Sequence, residues 1–183
     1  MELATDAEAI AGTDTTRVIT PAVFRAANIV SGASVVSTSG TNIEFTGIPV
    51  WAKRITIMMA GVSTSGTAVT LVQLGSTSFE TTEYLSSSTA TVTASATVNY
   101  TNGFAADFGS GNTAAAVRHG AITLTNISGN TWIATGAFGL SNAAYTCVIG
   151  GSKSLANVLD RVRIITSNGT DTFDAGTINI AWE

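Results

Sequence analysis

The chain has 183 residues, which is enough for one sizeable core but too few for a multidomain enzyme. Charged residues make up only 11% of the sequence and the formal net charge is −4, so the chain lacks both the basic surface that nucleic-acid binding requires and the high net charge of disordered chains. The mean hydropathy of +0.34, combined with so few charges, favours an obligate oligomer whose copies cover much of one another's surface.

The sequence also bears on export, membrane insertion and cysteine chemistry. No apolar run approaches the roughly 18 residues that span a bilayer, and the N-terminus is acidic where a secretory signal is basic. We therefore expect neither signal-directed export nor membrane insertion. A single cysteine, Cys147, excludes an intrachain disulfide and a cysteine-based zinc site, and it is expected to be a small buried residue on a strand.

The first element along the chain is a two-turn helix in a short helical segment over residues 1–27. Thr5 is followed three residues later by Glu8, the spacing at which each side chain satisfies the free backbone N–H of the other. Gly12 supplies the C-terminal stop. This spacing predicts a helix that begins directly after Thr5.

A second short helix is predicted over residues 22–27. Thr20 can cap it, and Pro21, which has no N–H to leave unsatisfied, suits the first helical position. Neither helix is long enough to be stable alone, so we expect packing against neighbouring chains to order them.

From residue 28 onward the pattern indicates strands. Ile55, Ile57 and Met59 alternate with more polar neighbours, as on a strand with one buried face. The same period of two, or a short apolar run between Ser, Thr, Gly and Asn clusters, marks residues 69–74, 90–100, 121–127, 131–138, 145–149, 161–164 and 178–182. About eight to ten short strands predict an antiparallel, jelly-roll-like β-sandwich over residues 28–183.

Two parts of the sequence resemble one known family. Residues 4–14, continuing to Arg17 and to Thr20, Pro21 and Ala22, resemble the short repeat found in tail fibres of bacteriophages and prophages. A second resemblance, to the terminal domain of the same fibres, is carried by residues 45–56, His119 and Gly120, Trp132 with Gly136, residues 159–163 and residues 168–176.

This resemblance implies a parallel homotrimer on the virion tail, made in the cytoplasm of a bacterial host. Its N-terminal side would face the particle and its C-terminal domain the host. The resemblance also implies that the N-terminal segment attaches to other tail or baseplate proteins, and the residues expected to serve that attachment are Thr5, Glu8, Arg17, Pro21 and Phe24.

The residues suited to chemistry favour structural roles. His119 is the only histidine, and we expect it to be packed or hydrogen-bonded, with a metal on the threefold axis as the less favoured alternative. Asp171 and Asp174 are expected to accept backbone hydrogen bonds in a turn, with Gly176 supplying a permissive dihedral before the last strand. We therefore predict no catalytic residue, no cofactor and no metal.

Two further groups of side chains invite a binding interpretation. Arg161 and Arg163 share one face of a strand and, with Asp160, are expected to form ion pairs across strands or subunits. The three tryptophans are expected in the core or an interface rather than on a sugar-binding surface: Trp51, Trp132 and Trp182.

Receptor contacts are predicted in the loops of residues 76–119. Within it, residues 76–117 are rich in Ser, Thr and Ala and are the least family-like, and Glu83 stands where a small residue is expected. Aromatic rings stack on sugars, and Arg or Asn reads hydroxyl groups. The predicted receptor contacts are Tyr84, Tyr100, Asn102 and Arg118.

These expectations lead to a non-catalytic receptor-binding protein whose ligand is a bacterial surface polysaccharide or an outer-membrane protein. One alternative is a purely structural virion piece, such as a baseplate or fibre connector. A polysaccharide depolymerase is less favoured, because it needs two carboxyl groups held roughly 5 to 9.5 Å apart and the sequence offers no convincing pair.

Overall fold

The structure is a computed structural model that describes residues 3–12, 14–91, 96–109, 113–114, 116–142 and 144–183. Two short helices come first, α1 (Asp6–Ala11) and α2 (Pro21–Asn28). Fourteen strands follow in the described part of the chain: β1 Val30–Ser31, β2 Val35–Val36, β3 Asn42–Thr46, β4 Arg54–Thr64, β5 Thr70–Ser76, β6 Ser78–Phe79, β7 Leu85–Ala90, β8 Ala96–Tyr100, β9 Phe104–Ala105, β10 Arg118–Ser128, β11 Thr131–Leu140, β12 Tyr145–Ser154, β13 Arg161–Thr166 and β14 Phe173–Trp182.

Both helices begin at the residues that the sequence predicts. The Thr5 hydroxyl accepts a hydrogen bond from the Glu8 N–H, the Glu8 carboxylate accepts one from the Thr5 N–H, and Gly12 ends the helix with φ +65°. The Thr20 hydroxyl accepts the Val23 N–H at 3.2 Å at the start of α2. No described helix is long and apolar enough to cross a membrane.

The strands form two antiparallel sheets, so the predicted β-sandwich-like, mainly β fold is confirmed. The larger sheet has the order β1-β14-β4-β10-β11-β12-β7-β8, with β2 also pairing along β14. The smaller sheet has the order β3-β13-β5-β6, with β9 also pairing with β5. The last two strands are therefore internal: β13 lies between β3 and β5, and β14 lies between β2 and β4.

The main core lies between the two sheets. Ile55, Ile57 and Met59 of β4 are buried, as their alternation predicts. Val162 and Ile164 of β13 approach the same core from the smaller sheet. Burial removes these side chains from water and is the main stabilising term of such a sandwich.

A second, smaller cluster contains Cys147, which is buried on β12 as predicted. Its neighbours include Phe108, Leu140 and Tyr145. Burial raises the pKa of the Cys147 thiol to about 12, so the thiol stays protonated at neutral pH.

The single strand predicted over residues 90–100 is wrong. Leu85–Ala90 and Ala96–Tyr100 are separate strands that pair with each other, with Ala90 opposite Ala96, and residues 92–95 between them lie outside the described residues. The sequence there is a run of small Ala, Thr, Ser and Val residues without Gly, Pro or Asn, so no residue marks the break between the strands.

The pairing of β4 with β14 is interrupted by a bulge. Gly61 has φ +71° and Gly176 has φ +95°, and the pairing register shifts around Ala175. A Cβ at Gly176 would lie 2.4 Å from the Gly61 carbonyl oxygen, so only glycine fits there without displacing the neighbouring strand. The permissive dihedral predicted for Gly176 is confirmed, but the residue lies within β14 and not before it.

Candidate functional site

The larger sheet has a concave region at each end. At one end of the β4–β10 pair Arg54 lies opposite Thr125, and towards the other end Ala60 lies opposite His119, about 20 Å away along the strands. Arg54 and Thr125 belong to a groove of about 770 Å³ that is shared with the N-terminal segment, which we call the basal groove. His119 belongs to a pocket of about 520 Å³, which we call the distal pocket.

The basal groove contains most of the residues predicted for attachment. Arg17 pairs with Glu8 at 2.5 Å and also with Asp14, and Glu8 in turn accepts the Thr5 N–H at 2.9 Å. The hydrogen bond from the Thr5 N–H, together with Arg17, lowers the pKa of Glu8. The structure thus brings Thr5, Glu8 and Arg17 into one network.

The lining of the basal groove also includes aromatic residues. Phe24 is 60% exposed and lines the groove together with Trp51, which packs against the main core. Arg54 pairs with Glu183 at the rim. Pro21 occupies the first turn of α2, so its role is to start the helix that carries Phe24.

Tyr84 is not accessible to a receptor. Its side chain is 0% exposed, and its hydroxyl accepts the Leu74 N–H at 2.7 Å and donates to the Glu80 carbonyl at 3.0 Å. Its ring meets Phe104 edge to face at 5.1 Å. Burial raises the pKa of Tyr84. The predicted receptor contact is therefore corrected to a core tyrosine whose hydroxyl satisfies backbone groups.

Arg118 is corrected in the same way. It is 0% exposed, and its guanidinium pairs with the equally buried Asp107 and donates to the Ala116 carbonyl at 3.3 Å. The Asp107 carboxylate also accepts the Thr70 N–H at 3.2 Å. Arg118 thus joins β10 to β5 from the inside, and its head group does not reach the surface.

The other two predicted contacts keep some exposure, and their role stays a prediction. Tyr100 is half-buried and its hydroxyl accepts the Gly109 N–H at 3.1 Å, while burial raises its pKa. Asn102 is half-buried, and its main-chain carbonyl accepts a hydrogen bond from Gln73 at 2.6 Å. Glu83, the residue that departs from the family pattern, has φ +61°, a conformation that favours glycine or asparagine.

The distal pocket combines hydroxyl groups with an aromatic floor. Four elements line it: the end of β7, the start of β10, the β11–β12 turn and the start of β12. Its described lining residues include no Asp, Glu, Lys or Arg: Thr91, His119, Gly139, Leu140, Ser141, Ala144, Tyr145 and Thr146. A pocket of this kind can bind a neutral, polar ligand through hydrogen bonds.

Three side chains define the chemistry of the distal pocket. The Thr91 and Thr146 hydroxyls lie 2.8 Å apart and hydrogen-bond to each other. Tyr145 is buried, and burial raises its pKa to about 12. No local sequence pattern indicates this group, because the four elements come together only through the strand order.

His119 is hydrogen-bonded, as predicted. Its Nδ1 accepts the Gly61 N–H at 3.2 Å, which holds the exposed imidazole beside the bulge. In the part of the chain that the structure describes, no group of three His, Cys, Asp or Glu side chains could hold a metal ion.

Asp171, in the last turn, and Asp174, on β14, both have structural partners. Asp171 accepts the Ala68 N–H at 2.8 Å, and Asn168 and this N–H hold its pKa below the usual value. Asp174 accepts a hydrogen bond from the Ser63 hydroxyl. The backbone hydrogen bond predicted for Asp171 is confirmed, but its donor lies in a distant loop and not in the same turn. The prediction is wrong for Asp174, which lies on β14 and accepts from a side chain.

Of the ion pairs predicted across strands, one forms between strands of the smaller sheet, and the other joins neighbours in sequence. Arg161 pairs with Asp160 at 2.7 Å, and Arg163 lies 3.9 Å from Glu44 on the neighbouring strand. Arg163 also lies 4.5 Å from the centre of the Phe79 ring. Trp132 is buried, and Trp51 and Trp182 pack against the main core from its edge, which fits the framework role predicted for all three.

Comparison with known proteins adds no relative. No family model matches the chain, and neither the curated proteins nor the solved structures contain a match.

Proposed function

We propose that the chain is the receptor-binding tip of a bacteriophage tail fibre, a non-catalytic homotrimer that adsorbs to the host surface. The observation that carries this proposal is that two different concave regions lie at opposite ends of the larger sheet. The basal groove, with the attachment residues Glu8 and Arg17, lies at one end, and the uncharged distal pocket lies at the other. A rigid sheet between them suits a protein that joins a particle to a surface.

The resemblance of residues 4–22 to a tail-fibre repeat supports this orientation, with the basal groove towards the tail or baseplate and the distal pocket towards the host. It also supports location on the virion, after synthesis in the bacterial cytoplasm. The low content of charged residues and the exposed Phe24 support a homotrimer, because contact with neighbouring copies would remove apolar surface from water.

A jelly-roll-like winding is the finer description of the fold that we propose. The chain passes from one sheet to the other at each step from β2 to β5, and β13 and β14 return beside these early strands. A strand that returns by a long connection to lie beside an early one is the mark of a Greek key, and a jelly roll contains two.

The ligand that fits the distal pocket is a neutral stretch of surface polysaccharide. The hydroxyls of Thr91, Ser141 and Thr146 can exchange hydrogen bonds with sugar hydroxyls, and weak single sites gain strength from three copies per fibre. An outer-membrane protein is the other ligand that the resemblance allows.

The alternative function is a structural connector with receptor binding elsewhere. The observation that favours it is the basal groove, which is the larger of the two concave regions and is lined by the exposed Phe24 and by Trp51. A depolymerase has less support, because Asp171 is occupied by a backbone hydrogen bond and Asp174 by Ser63.

Binding of labelled protein to a panel of bacterial strains, with and without stripped surface polysaccharide, tests the proposal. Thr91→Val combined with Thr146→Val removes two pocket hydroxyls that bond to each other and keeps their shape, so folding is preserved. We expect about tenfold weaker binding, since each tenfold is about 1.4 kcal/mol. Thr46→Val on the smaller sheet is the matched control.

Ser141→Trp, which fills the pocket, should abolish the same binding. Binding to stripped cells that equals binding to intact cells would contradict a polysaccharide ligand. Binding that survives both pocket changes would contradict the pocket, and absence of binding to every strain would favour the connector.

A further inference from the structure

We propose that the outer face of the larger sheet is the surface through which copies of this chain assemble. We call it the assembly face: the part of β4, β10, β11, β12 and β7 that points away from the smaller sheet and lies between the basal groove and the distal pocket, which both stay open. The proposal rests on the homotrimer of the proposed function and deepens it, because it states which surface of the sandwich the copies share.

The alternation of buried residues identifies the assembly face. Ile122 and Leu124 of β10 point into the core, so Thr123 between them points outward. On β11, Ala134 is buried and its neighbour Thr135 is exposed, and Thr123 lies directly opposite Thr135. These two threonines lie near the middle of the assembly face.

The assembly face is almost free of charge. Its five strands contain only three charged residues, and two of them, Arg118 and Lys153, are buried on the inner side. The third, Arg54, lies at the basal end and pairs with Glu183. Two large apolar side chains are instead exposed on this face, Val148 at 58% and Leu85 at 73%.

The smaller sheet provides an internal comparison. Its outer side carries Glu44, Arg161 and Arg163, which form ion pairs with one another or with Asp160. Sheet surfaces that stay in water commonly carry such charges, which also prevent association. The outer side of the smaller sheet therefore has the charges of a solvent-exposed surface. The outer side of the larger sheet lacks the charges that would prevent it from associating with another copy.

The charge and the size of the assembly face favour a second copy as the occupant. An identical uncharged surface buries no unpaired charge on contact, whereas nucleic acid needs a basic surface. Between the two concave regions, five neighbouring strands with about five residues each make a face of about 400 Å², roughly half of the 800 Å² per partner of a standard interface. A single copy therefore exposes about half of one partner's share on this face.

Sedimentation equilibrium of the full chain tests the proposal with a matched pair of variants. Thr135→Glu places a charge in the middle of the assembly face, and Thr46→Glu places the same charge on an exposed threonine of the smaller sheet. We expect the wild type and Thr46→Glu to be oligomers, and Thr135→Glu to sediment as a folded 18.6 kDa monomer at the same concentration.

The possible outcomes separate this proposal from the proposed function. A monomeric wild type would overturn both the assembly face and the homotrimer. An oligomeric Thr135→Glu would overturn the assembly face alone, and so would dissociation of Thr46→Glu to the same extent. A third outcome is a wild type that is oligomeric but does not bind cells, with Thr135→Glu monomeric as expected. This outcome would contradict the receptor role and leave the assembly face standing.

Thiol labelling decides the matter if Thr135→Glu does not fold. Cys147 is buried, so a cysteine introduced at the surface is the reactive one. We expect Thr135→Cys to react with a maleimide at least tenfold more slowly than Thr46→Cys in the assembled protein, and equally fast in denaturant. Equal rates in the assembled protein would overturn the assembly face and leave it free for another occupant, such as a polysaccharide.

Discussion

Asp107 and Arg118 form an ion pair in the interior, and neither side chain reaches solvent. Two strands depend on this pair, because the Asp107 carboxylate also accepts the Thr70 N–H of β5 while Arg118 begins β10. A buried pair contributes little net free energy compared with an apolar replacement, but the loss of one partner leaves a buried charge without compensation.

We expect Asp107→Ala to lower the free energy of unfolding by about 3–5 kcal/mol, measured by urea unfolding at one fixed protein concentration. The control is Glu183→Ala, which removes the partner of the more exposed Arg54 and should cost about 1 kcal/mol or less. Equal losses for the two variants would contradict the structural role of the buried pair.

Glu80 and Lys153 predict a dependence of stability on pH. Lys153 is buried and lies 2.8 Å from Glu80. Burial alone raises the pKa of Glu80, but the hydrogen bonds from Lys153 and from the Ala156 N–H outweigh it and hold the pKa below its usual value. Since the folded-state pKa is the lower one, Glu80 stabilises the protein above its unfolded pKa and loses this effect as pH falls through the folded pKa.

Glu80→Gln should therefore be less stable than the wild type near pH 7, with a difference that shrinks as pH falls below about 4. Thermal melts of both proteins between neutral and acid pH measure it. Thr46→Val, which removes no ionisable group, should differ from the wild type by the same amount at every pH. A difference for Glu80→Gln that stays constant would argue against the ion pair.

Substitutions at Gly176 and Gly47 distinguish the cost of a steric clash from the cost of backbone strain. Both have positive φ, +95° and +76°, but only at Gly176 would an added Cβ meet the neighbouring strand. Gly47→Ala should cost about 1 kcal/mol, the usual penalty for alanine in this conformation, and Gly176→Ala about 3 kcal/mol or more. Denaturant unfolding of the two variants gives both values, and similar costs would mean that the bulge has room to adjust.

Tyr84→Phe tests the corrected role of this tyrosine. Loss of the hydroxyl leaves the Leu74 N–H without its acceptor in the core, so the free energy of unfolding should fall by about 1–3 kcal/mol. Attachment to cells by the folded fraction should not change. Weaker attachment at full stability would instead restore Tyr84 as a receptor contact.

Features that depend on residues close in sequence were predicted correctly, whereas features that depend on distant residues were not. The capping of α1 by Thr5 and Glu8 and the buried alternation of Ile55 and Ile57 depend on neighbours within a few residues, so the sequence revealed them. The interior placement of Arg118 depends on Asp107, 11 residues away, and no periodicity marks that partner.

The distal pocket could not be predicted from the sequence, because its residues are also far apart along the chain. Thr91, Ser141 and Thr146 are ordinary surface residues by sequence, and only the antiparallel pairing of β12 with both β11 and β7 brings them together. The segment of residues 76–119 looked like an exposed loop because it is rich in small polar residues. Many of these residues form strands whose inward serines face the interior, such as Ser86 and Ser88.

The internal positions of β13 and β14 bear on how the chain is made in a cell. Until these strands leave the ribosome, β3 has no strand partner and β4 and β5 each lack a partner along one edge. An open strand edge readily pairs with another chain. Translation from β5 to β13 takes on the order of ten seconds at about 5–20 residues per second, which is long compared with strand pairing. The nascent chain is therefore more prone to aggregate than the finished protein, and slower synthesis at low temperature should not by itself rescue it. Dilution of nascent chains, or a chaperone that covers the edge of β4, should raise the soluble yield.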